Sequence, residues 1–170
     1  MNDEPLSWDE LFLRHVYLIA SKTKDMRTKI GAVLVKDRRI ISEGYNGLCR
    51  GVNDKVSERF LKGEKQYFLE HAERNAIFSC AYFGTSSKGS SCYTNGLPCT
   101  DCTRALIQGG VEKIYVHHQW MKHEEEINGL LFKERSKRPL EMLNEARIPV
   151  LTIDLYLGVK TRLDDNDIMV

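Results

Sequence analysis

The sequence has no apolar stretch that approaches the ~20 residues of a membrane-spanning helix. Its first ten residues, MNDEPLSWDE, are acidic and polar, unlike the basic and apolar start of a secretory signal. Net charge is almost absent as well, because 25 Lys and Arg oppose 24 Asp and Glu, a formal balance of +1. We therefore expect no membrane association and no strong electrostatic attachment to nucleic acid, although a local basic cluster could still bind a small anion.

Internal repeats, low-complexity segments and a GxGxxG dinucleotide-binding motif are also missing. The 170 residues fit one domain over 1–170, with a core of about 6–155. Cysteine is present in an odd number, five, which argues against a disulfide framework. Reduced thiols and a cytoplasmic location are the expectation that follows.

The pattern of apolar residues predicts an alternation of strands and helices. Ser7 can cap an amphipathic helix, and the run IGAVLV (30–35) predicts a buried strand that forms a hairpin with RIISEGYN. The later predictions are a short helix around 56–61, a helix over 71–83, a strand over 91–95, a helix from 98 to 109, a strand over 113–118, two further helical stretches and an edge strand at IPVLTID. This order predicts an α/β sheet with helices on both faces, followed by a loose acidic C-terminal tail.

Two short motifs carry residues that bind metals. His71 and Glu73 form an HxE motif, and after 24 intervening residues (74–97) Pro98 opens PCxxC with Cys99 and Cys102. An isolated CxxC is consistent with a structural zinc site, with a redox pair or with a coincidence of spacing. Both motifs open predicted helices, whose N-termini lower thiol pKa values. Together they predict a zinc site of one histidine and two thiolates with its fourth position open, the arrangement of a catalytic zinc.

Glu73 lies two residues after His71, so the two side chains do not share a face of the predicted helix. In the first turn both can still reach the space in front of the helix end. Glu73 is therefore predicted to accept a proton there rather than to bind the metal. The alternative is a closed structural site, in which one of the remaining cysteines or histidines would supply a fourth ligand.

Longer runs of the sequence resemble a known family. They are SKTKDMRTKIGAVLV, RIISEGYNGLCRGVND, HAERNAIF and YTNGLPCTDCTRALIQGGVEKIYV, which cover about 21–116 in the family's order. On these runs the chain resembles the cytidine and deoxycytidylate deaminase superfamily, and in particular its deoxycytidylate (dCMP) deaminases.

The resemblance implies a fold, a reaction and partners. The fold is α/β, a three-layer α/β/α cytidine-deaminase-like architecture with a central mixed sheet. The reaction is hydrolytic deamination of dCMP to dUMP and ammonia, which supplies dUMP for thymidylate synthesis. One catalytic Zn²⁺ would be held by His71, Cys99 and Cys102, with Glu73 transferring protons to the base and the leaving amine. The resemblance further implies a homo-oligomer, a hexamer, with dCTP and dTTP as effectors.

The same resemblance implies a set of substrate-binding residues: Asn46, Arg27, Lys29, Ala72 and Trp120. Arg27 and Lys29 would contact the phosphate, although basic loop residues are often only solvated. Asn46 would contact the sugar or the edge of the base, but it is equally consistent with a turn, since Asn-Gly is common in hairpins.

The chain also departs from the family's pattern. Cys49 replaces a proline, Trp120 lies near the place of a tyrosine, and residues 50–70 contain neither His nor Cys, so a second, structural zinc is not expected. His117, His118 and His123 form either a second metal or effector-phosphate site, or merely a strand end and an exposed loop. Alternative functions are deamination of dCTP, deoxycytidine or a modified dCMP, deamination of adenosine in RNA, and non-catalytic nucleotide sensing.

Overall fold

The structure, a computed structural model, describes residues 4–170. Its helices and strands follow in this order: α1 (Trp8–Ala20), β1 (Gly31–Lys36), β2 (Arg39–Tyr45), β3 (Gly47–Leu48), a 3-10 helix (Ser57–Phe60), α2 (Lys65–Phe68), β4 (Leu69–Glu70), α3 (Ala72–Phe83), β5 (Ser91–Thr94), α4 (Thr100–Gln108), β6 (Lys113–His117), α5 (His118–Glu145), β7 (Val150–Ile153), β8 (Lys160–Leu163) and β9 (Asn166–Met169). The predicted strands and helices up to β7 are present, except that the short helix expected around 56–61 is a 3-10 helix.

Five strands form the central sheet in the order β2-β1-β5-β6-β7. β1 is antiparallel to β2 and β5, whereas β5, β6 and β7 are parallel to one another. Alternate residues of a strand face opposite sides of its sheet. Ala32 and Leu34 accordingly pack with α3 and α4, while Val33 and Val35 pack with α1. The predicted α/β fold, with a mixed sheet between two helical layers, is confirmed.

Local sequence signals fix the ends of several elements. The Ser7 hydroxyl accepts a hydrogen bond from the Glu10 backbone N–H at 3.2 Å, which caps α1 as predicted. Asp37 and Arg38 both have positive φ angles, 51° and 59°, as a two-residue hairpin turn between β1 and β2 requires. Gly84 ends α3 in the left-handed conformation, with φ of 69°.

The long element α5 reverses direction at Gly129, whose φ of 47° and ψ of −117° are not helical. Its two halves are the two helical stretches that the sequence predicted. The guanidinium of Arg135 forms an ion pair with Glu124, and Lys133 Nζ lies 3.2 Å from a Glu125 oxygen. Eleven residues of straight helix would separate Glu124 from Arg135 by about 16 Å. The second half of α5 therefore folds back on the first.

The prediction of a loose C-terminal tail is wrong. β8 and β9 form an antiparallel hairpin, and Leu163, Ile168 and Val170 are buried in the same apolar cluster as α1. The Val170 backbone also exchanges hydrogen bonds with Val159. These contacts hold the last residues against the core despite their acidic composition. The assignment of 1–170 to one domain stays a prediction, and none of the helices in 4–170 is long and apolar enough to cross a membrane.

Candidate active site

His71, Cys99 and Cys102 come together at the N-terminal ends of two helices. His71 is the residue that caps α3, Cys99 caps α4, and Cys102 lies in the first turn of α4. One nitrogen or sulfur atom from each of the three lies within 4.8 Å of the others. Among residues 4–170, these three form the one group of His, Cys, Asp or Glu side chains whose ligand atoms lie close enough together to hold a metal ion.

The donor set fits zinc. Two thiols and one imidazole are soft and borderline ligands, and tetrahedral zinc places neighbouring ligand atoms about 3.5–4 Å apart. Cys99 Sγ lies 3.5 Å from His71 Nδ1, which matches this spacing. Three protein ligands leave a tetrahedral ion one position for another molecule, as catalytic zinc sites do. The zinc-ligand roles of these residues stay a prediction.

Hydrogen bonding within the cluster favours a thiolate. A hydrogen bond from Cys102, with a second from His71, lowers the pKa of Cys99 to about 3. The same contact with Cys99 raises the pKa of His71 to about 9, and that of Cys102 is also raised, first by its hydrogen bond to Cys99 and then by burial. Because the thiolate is the form that binds metals, the lowered pKa leaves Cys99 in the form that binds a metal cation at neutral pH.

Glu73 lies against this cluster although it follows His71 by only two residues. Its side chain is buried in the first turn of α3, and one carboxylate oxygen accepts a hydrogen bond from Cys102 Sγ at 3.3 Å. Burial raises the pKa of Glu73 above its ordinary value. A carboxyl group with a raised pKa can both accept and return a proton, the task that the sequence predicted for it.

Glu70 and Arg74 support the cluster from behind. A Glu70 carboxylate oxygen accepts a hydrogen bond from the His71 backbone N–H at 3.0 Å, and Arg74 Nε lies 2.8 Å from the same carboxylate. Arg74 also approaches Asp101 at 3.8 Å, so it links α3 with α4. The arginine therefore lies between the two helix ends that carry the cluster.

A cavity of about 400 Å³ opens in front of the cluster, within the range of small-molecule sites. Its wall includes the predicted residues Asn46, Ala72 and Trp120. Ala72 and Trp120 are almost fully buried. A Cβ atom on Gly96 would lie 2.8 Å from the Trp120 indole, so only glycine permits this close approach.

Asn46 connects the end of β2 with the segment that precedes β1, at the edge of the cavity. Its Oδ1 accepts a hydrogen bond from the Ile30 N–H at 2.9 Å, and its Nδ2 donates to the Thr28 carbonyl at 2.9 Å. It lies between β2 and β3 rather than in a two-residue hairpin turn. These bonds pair both polar atoms of the buried Asn46 side chain, so its burial does not require a ligand. Its contact with substrate stays a prediction.

Arg27 and Lys29 are not brought to the cavity wall. Arg27 Nε donates to Asp165 Oδ2 at 2.7 Å, and this bond raises the pKa of Arg27. Lys29 is tied to the C-terminal hairpin through its backbone N–H, which donates to the Arg162 carbonyl at 2.9 Å. The expected role of both residues in phosphate binding is therefore not supported by their position.

Charged residues that sequence reasoning missed also line the cavity: Asp25, Lys65, Glu124, Arg135 and Asp164. No motif marks them, because they come from the loop after α1, from α2, from α5 and from the C-terminal turn. The one available signal was a glycine inside a helical stretch, Gly129, which marks the reversal that carries Arg135 back to Glu124.

The three histidines after β6 do not share a site. His117 is fully buried and bonded to Tyr17, and His118 is exposed. His123 lies near Glu126 and the Met169 carbonyl. The hypothesis of a second metal at these residues is wrong, because their side chains face different surroundings; they belong to a strand end and the following helix.

Known proteins support the interpretation of the cluster. The family model "Cytidine and deoxycytidylate deaminase zinc-binding region" matches residues 6–118. ComE operon protein 2 of Bacillus subtilis is 32% identical over 121 residues, which cover 71% of this chain and 64% of that protein. Human deoxycytidylate deaminase is 34% identical over 119 residues, covering 66% and 65%. The chain thus spans somewhat less than two thirds of the length of these relatives.

A solved structure shares the fold. The dCMP deaminase of cyanophage S-TIM5, in complex with dCMP and dUMP, superposes with a TM-score of 0.63 at 23% sequence identity. The match covers 85% of this chain and 95% of the phage protein. With the family model spanning 6–118 and the three potential zinc ligands meeting at two helix ends, the chain belongs to the cytidine and deoxycytidylate deaminase family.

Proposed function

We propose that the protein is a zinc-dependent deaminase that hydrolyses dCMP to dUMP and ammonia. The observation that carries the proposal is the position of Glu73, buried against the three potential zinc ligands at the wall of a 400 Å³ cavity. Human deoxycytidylate deaminase, at 34% identity, supports dCMP as the substrate. By the same proposal the protein provides dUMP for thymidylate synthesis in the cytoplasm.

His71, Cys99 and Cys102 would hold the zinc ion. Bound zinc supplies a Lewis acid that makes water a better nucleophile near neutral pH. The Glu73 carboxylate then accepts a proton from the attacking water and delivers it to N3 of the cytosine. The carboxylate next takes the remaining proton from the water oxygen, now bonded to C4, and transfers it to the amino group at C4, so that the C4–N bond breaks, ammonia leaves and the carbonyl of uracil forms. Ala72 and Trp120 form an apolar part of the cavity wall, which excludes other water from the base.

The test is to incubate zinc-loaded protein separately with dCMP, deoxycytidine and dCTP while following ammonia release and the absorbance change from cytosine to uracil. Turnover of dCMP in clear preference to the other two supports the proposal. Preferential turnover of dCTP or deoxycytidine would keep the chemistry but reject the substrate. No turnover of any of the three by zinc-loaded protein would reject the proposed function.

The proposal extends to a homo-oligomer, a hexamer, whose activity responds to dCTP and dTTP. Its support is an exposed aromatic surface on α3, where Phe78, Tyr82 and Phe83 are at least half exposed. Sedimentation analysis tests the oligomer, and rates at limiting dCMP with each nucleotide test the effectors. A monomeric protein, or rates that neither nucleotide changes, would reject the corresponding part.

A further inference from the structure

We infer that Arg135 binds the 5′-phosphate of the substrate; this inference rests on the proposed function. A nucleoside monophosphate carries nearly two negative charges near pH 7, and its burial in a cavity requires cationic donors. The cavity wall also carries Asp25, Glu124 and Asp164, which would repel a phosphate. The position of the available cations therefore decides where a phosphate can bind.

Two residues supply those cations. Among the described residues, the cavity wall contains one lysine, Lys65, and one arginine, Arg135. Arg27 is engaged by Asp165 away from this wall. The choice of a phosphate ligand thus lies between the ammonium of Lys65 and the guanidinium of Arg135.

Lys65 already neutralises a buried charge. Its Nζ lies 2.6 Å from Asp25 Oδ2, and the Asp25 side chain is only 2% exposed. The other Asp25 oxygen accepts the Arg27 backbone N–H at 2.9 Å. Withdrawing Lys65 toward a phosphate would leave a buried carboxylate without its counter-charge, which is strongly unfavourable.

Arg135 is free to bind an anion at lower cost. Its side chain is 45% exposed, and one of its terminal nitrogens bonds to Glu124. A guanidinium has five N–H donors in a planar fork that fits two phosphate oxygens at once. Donors beyond the one used for Glu124 can thus bind a phosphate while the ion pair persists.

The fold directs Arg135 into the cavity. The reversal at Gly129 returns the second half of α5 to the first, so that Phe132, Arg135 and Ser136 form one side of the cavity. Glu124 is 11% exposed and holds the guanidinium in place, and the Phe132 ring lies 5.6 Å from it. Arg135 is therefore positioned before substrate arrives, which reduces the entropy lost on binding.

The test compares the binding of dUMP and of deoxyuridine to zinc-loaded protein by titration calorimetry. Arg135→Gln should weaken dUMP binding about tenfold or more, because a charge-assisted phosphate contact is lost. Deoxyuridine, which lacks the phosphate, should bind within about twofold of wild type. Likewise, kcat/KM for dCMP should fall about tenfold or more while that for deoxycytidine stays unchanged.

Arg14→Gln is a matched control, since Arg14 is 41% exposed and paired with Glu10 on α1, away from the cavity. It should leave dUMP binding unchanged. Arg27→Gln tests the competing assignment and should also bind dUMP normally. If Arg135→Gln does not fold, Arg135→Lys provides the test: it keeps the charge but loses the fork, and dUMP binding should weaken severalfold.

The outcomes separate the inference from the proposed function. If wild type converts dCMP but Arg135→Gln binds dUMP normally, the inference is overturned and the function stands. A loss of dUMP affinity in Arg27→Gln without one in Arg135→Gln would equally overturn it. Failure of wild type to turn over or bind either nucleotide would overturn the proposed function and the inference with it.

Discussion

The hydroxyl of Tyr17 donates a hydrogen bond to Nδ1 of His117 over 2.8 Å, and both side chains are buried. The direction of this bond follows from the other ring nitrogen. Nε2 lies 2.7 Å from the Leu155 carbonyl oxygen, which can only accept, so Nε2 carries the proton. His117 is thus held in its neutral form with both nitrogens bonded, and burial lowers its pKa.

A lowered pKa at His117 makes stability fall in acid. Between the folded pKa and the unfolded value of 6.5, the unfolded chain binds more protons, so the free energy of unfolding decreases as pH falls. The slope contributed by one group is at most about 1.4 kcal/mol per pH unit. Urea unfolding between pH 8 and 5 should show a steeper decline for wild type than for His117→Gln. His118→Gln, at an exposed site, should keep the wild-type slope; equal slopes in all three proteins would contradict the assignment.

Replacement of Glu73 by Gln should remove the proton transfer while preserving the shape of the site. We expect kcat to fall by about 10²–10⁴-fold with one zinc still bound per chain, as measured by steady-state kinetics and metal analysis. Glu112→Gln, at an exposed position outside the cavity, is the control and should retain wild-type rates. A Glu73→Gln protein with substantial turnover would exclude the assigned role.

Replacement of Cys99 by Ser should abolish zinc binding. Cys99 is the proposed ligand whose pKa is lowered to about 3, so that it is a thiolate at neutral pH, whereas a serine hydroxyl stays protonated there. Zinc content should drop from about one ion per chain to near zero after dialysis against a weak chelator. Cys49→Ser provides the comparison, because that exposed thiol lies outside the cluster. Retention of a full zinc complement by Cys99→Ser would show that Cys99 is not a ligand.

The C-terminal hairpin should contribute measurably to stability. Ile168 is 7% exposed in the apolar cluster with α1, so Ile168→Ala should lower the free energy of unfolding by about 2–5 kcal/mol. The adjacent Met169 is 45% exposed, and Met169→Ala should change it by less than about 0.5 kcal/mol. Denaturant unfolding measures both values. Equal small effects would indicate that the hairpin does not pack on the core.

Gly129→Ala tests the reversal within α5. A Cβ atom at this position has nothing within 4 Å, so any cost arises from backbone strain at φ of 47° and ψ of −117°. The expected loss of unfolding free energy is about 1–3 kcal/mol. Lys137→Ala, on the exposed surface of the second half of α5, should be nearly neutral. A neutral Gly129→Ala would mean that the reversal does not need glycine.

The sequence predicted the central sheet and the metal cluster because each depends on local signals. Apolar runs mark the buried strands, and the HxE and PCxxC motifs open helices after short segments, so the strand order brings them to one place. The position of Arg27 was not predictable in this way. Its side chain is drawn to Asp165, 138 residues later, and such a pairing leaves no trace in local periodicity.

The C-terminal hairpin shows a different limit. Thr161 and Leu163 are buried two residues apart, as are Ile168 and Val170, which is the alternation of a strand. The turn between them contains Asp164 and Asp165, both with positive φ angles. Because this turn is acidic and the two strands are only four residues long, composition alone predicts a solvated tail instead of a hairpin.

The chain reversal at Gly129 has a consequence for how this protein can vary. His71, Glu73, Cys99 and Cys102 all lie within 6–118, whereas Trp120, Glu124, Phe132, Arg135 and Asp164, which complete the cavity, all come later. The cluster is thus encoded before residue 118, whereas one side of the cavity wall is encoded after it. Substitutions in the stretch after 118 can therefore reshape one side of the cavity while every residue of the cluster stays the same.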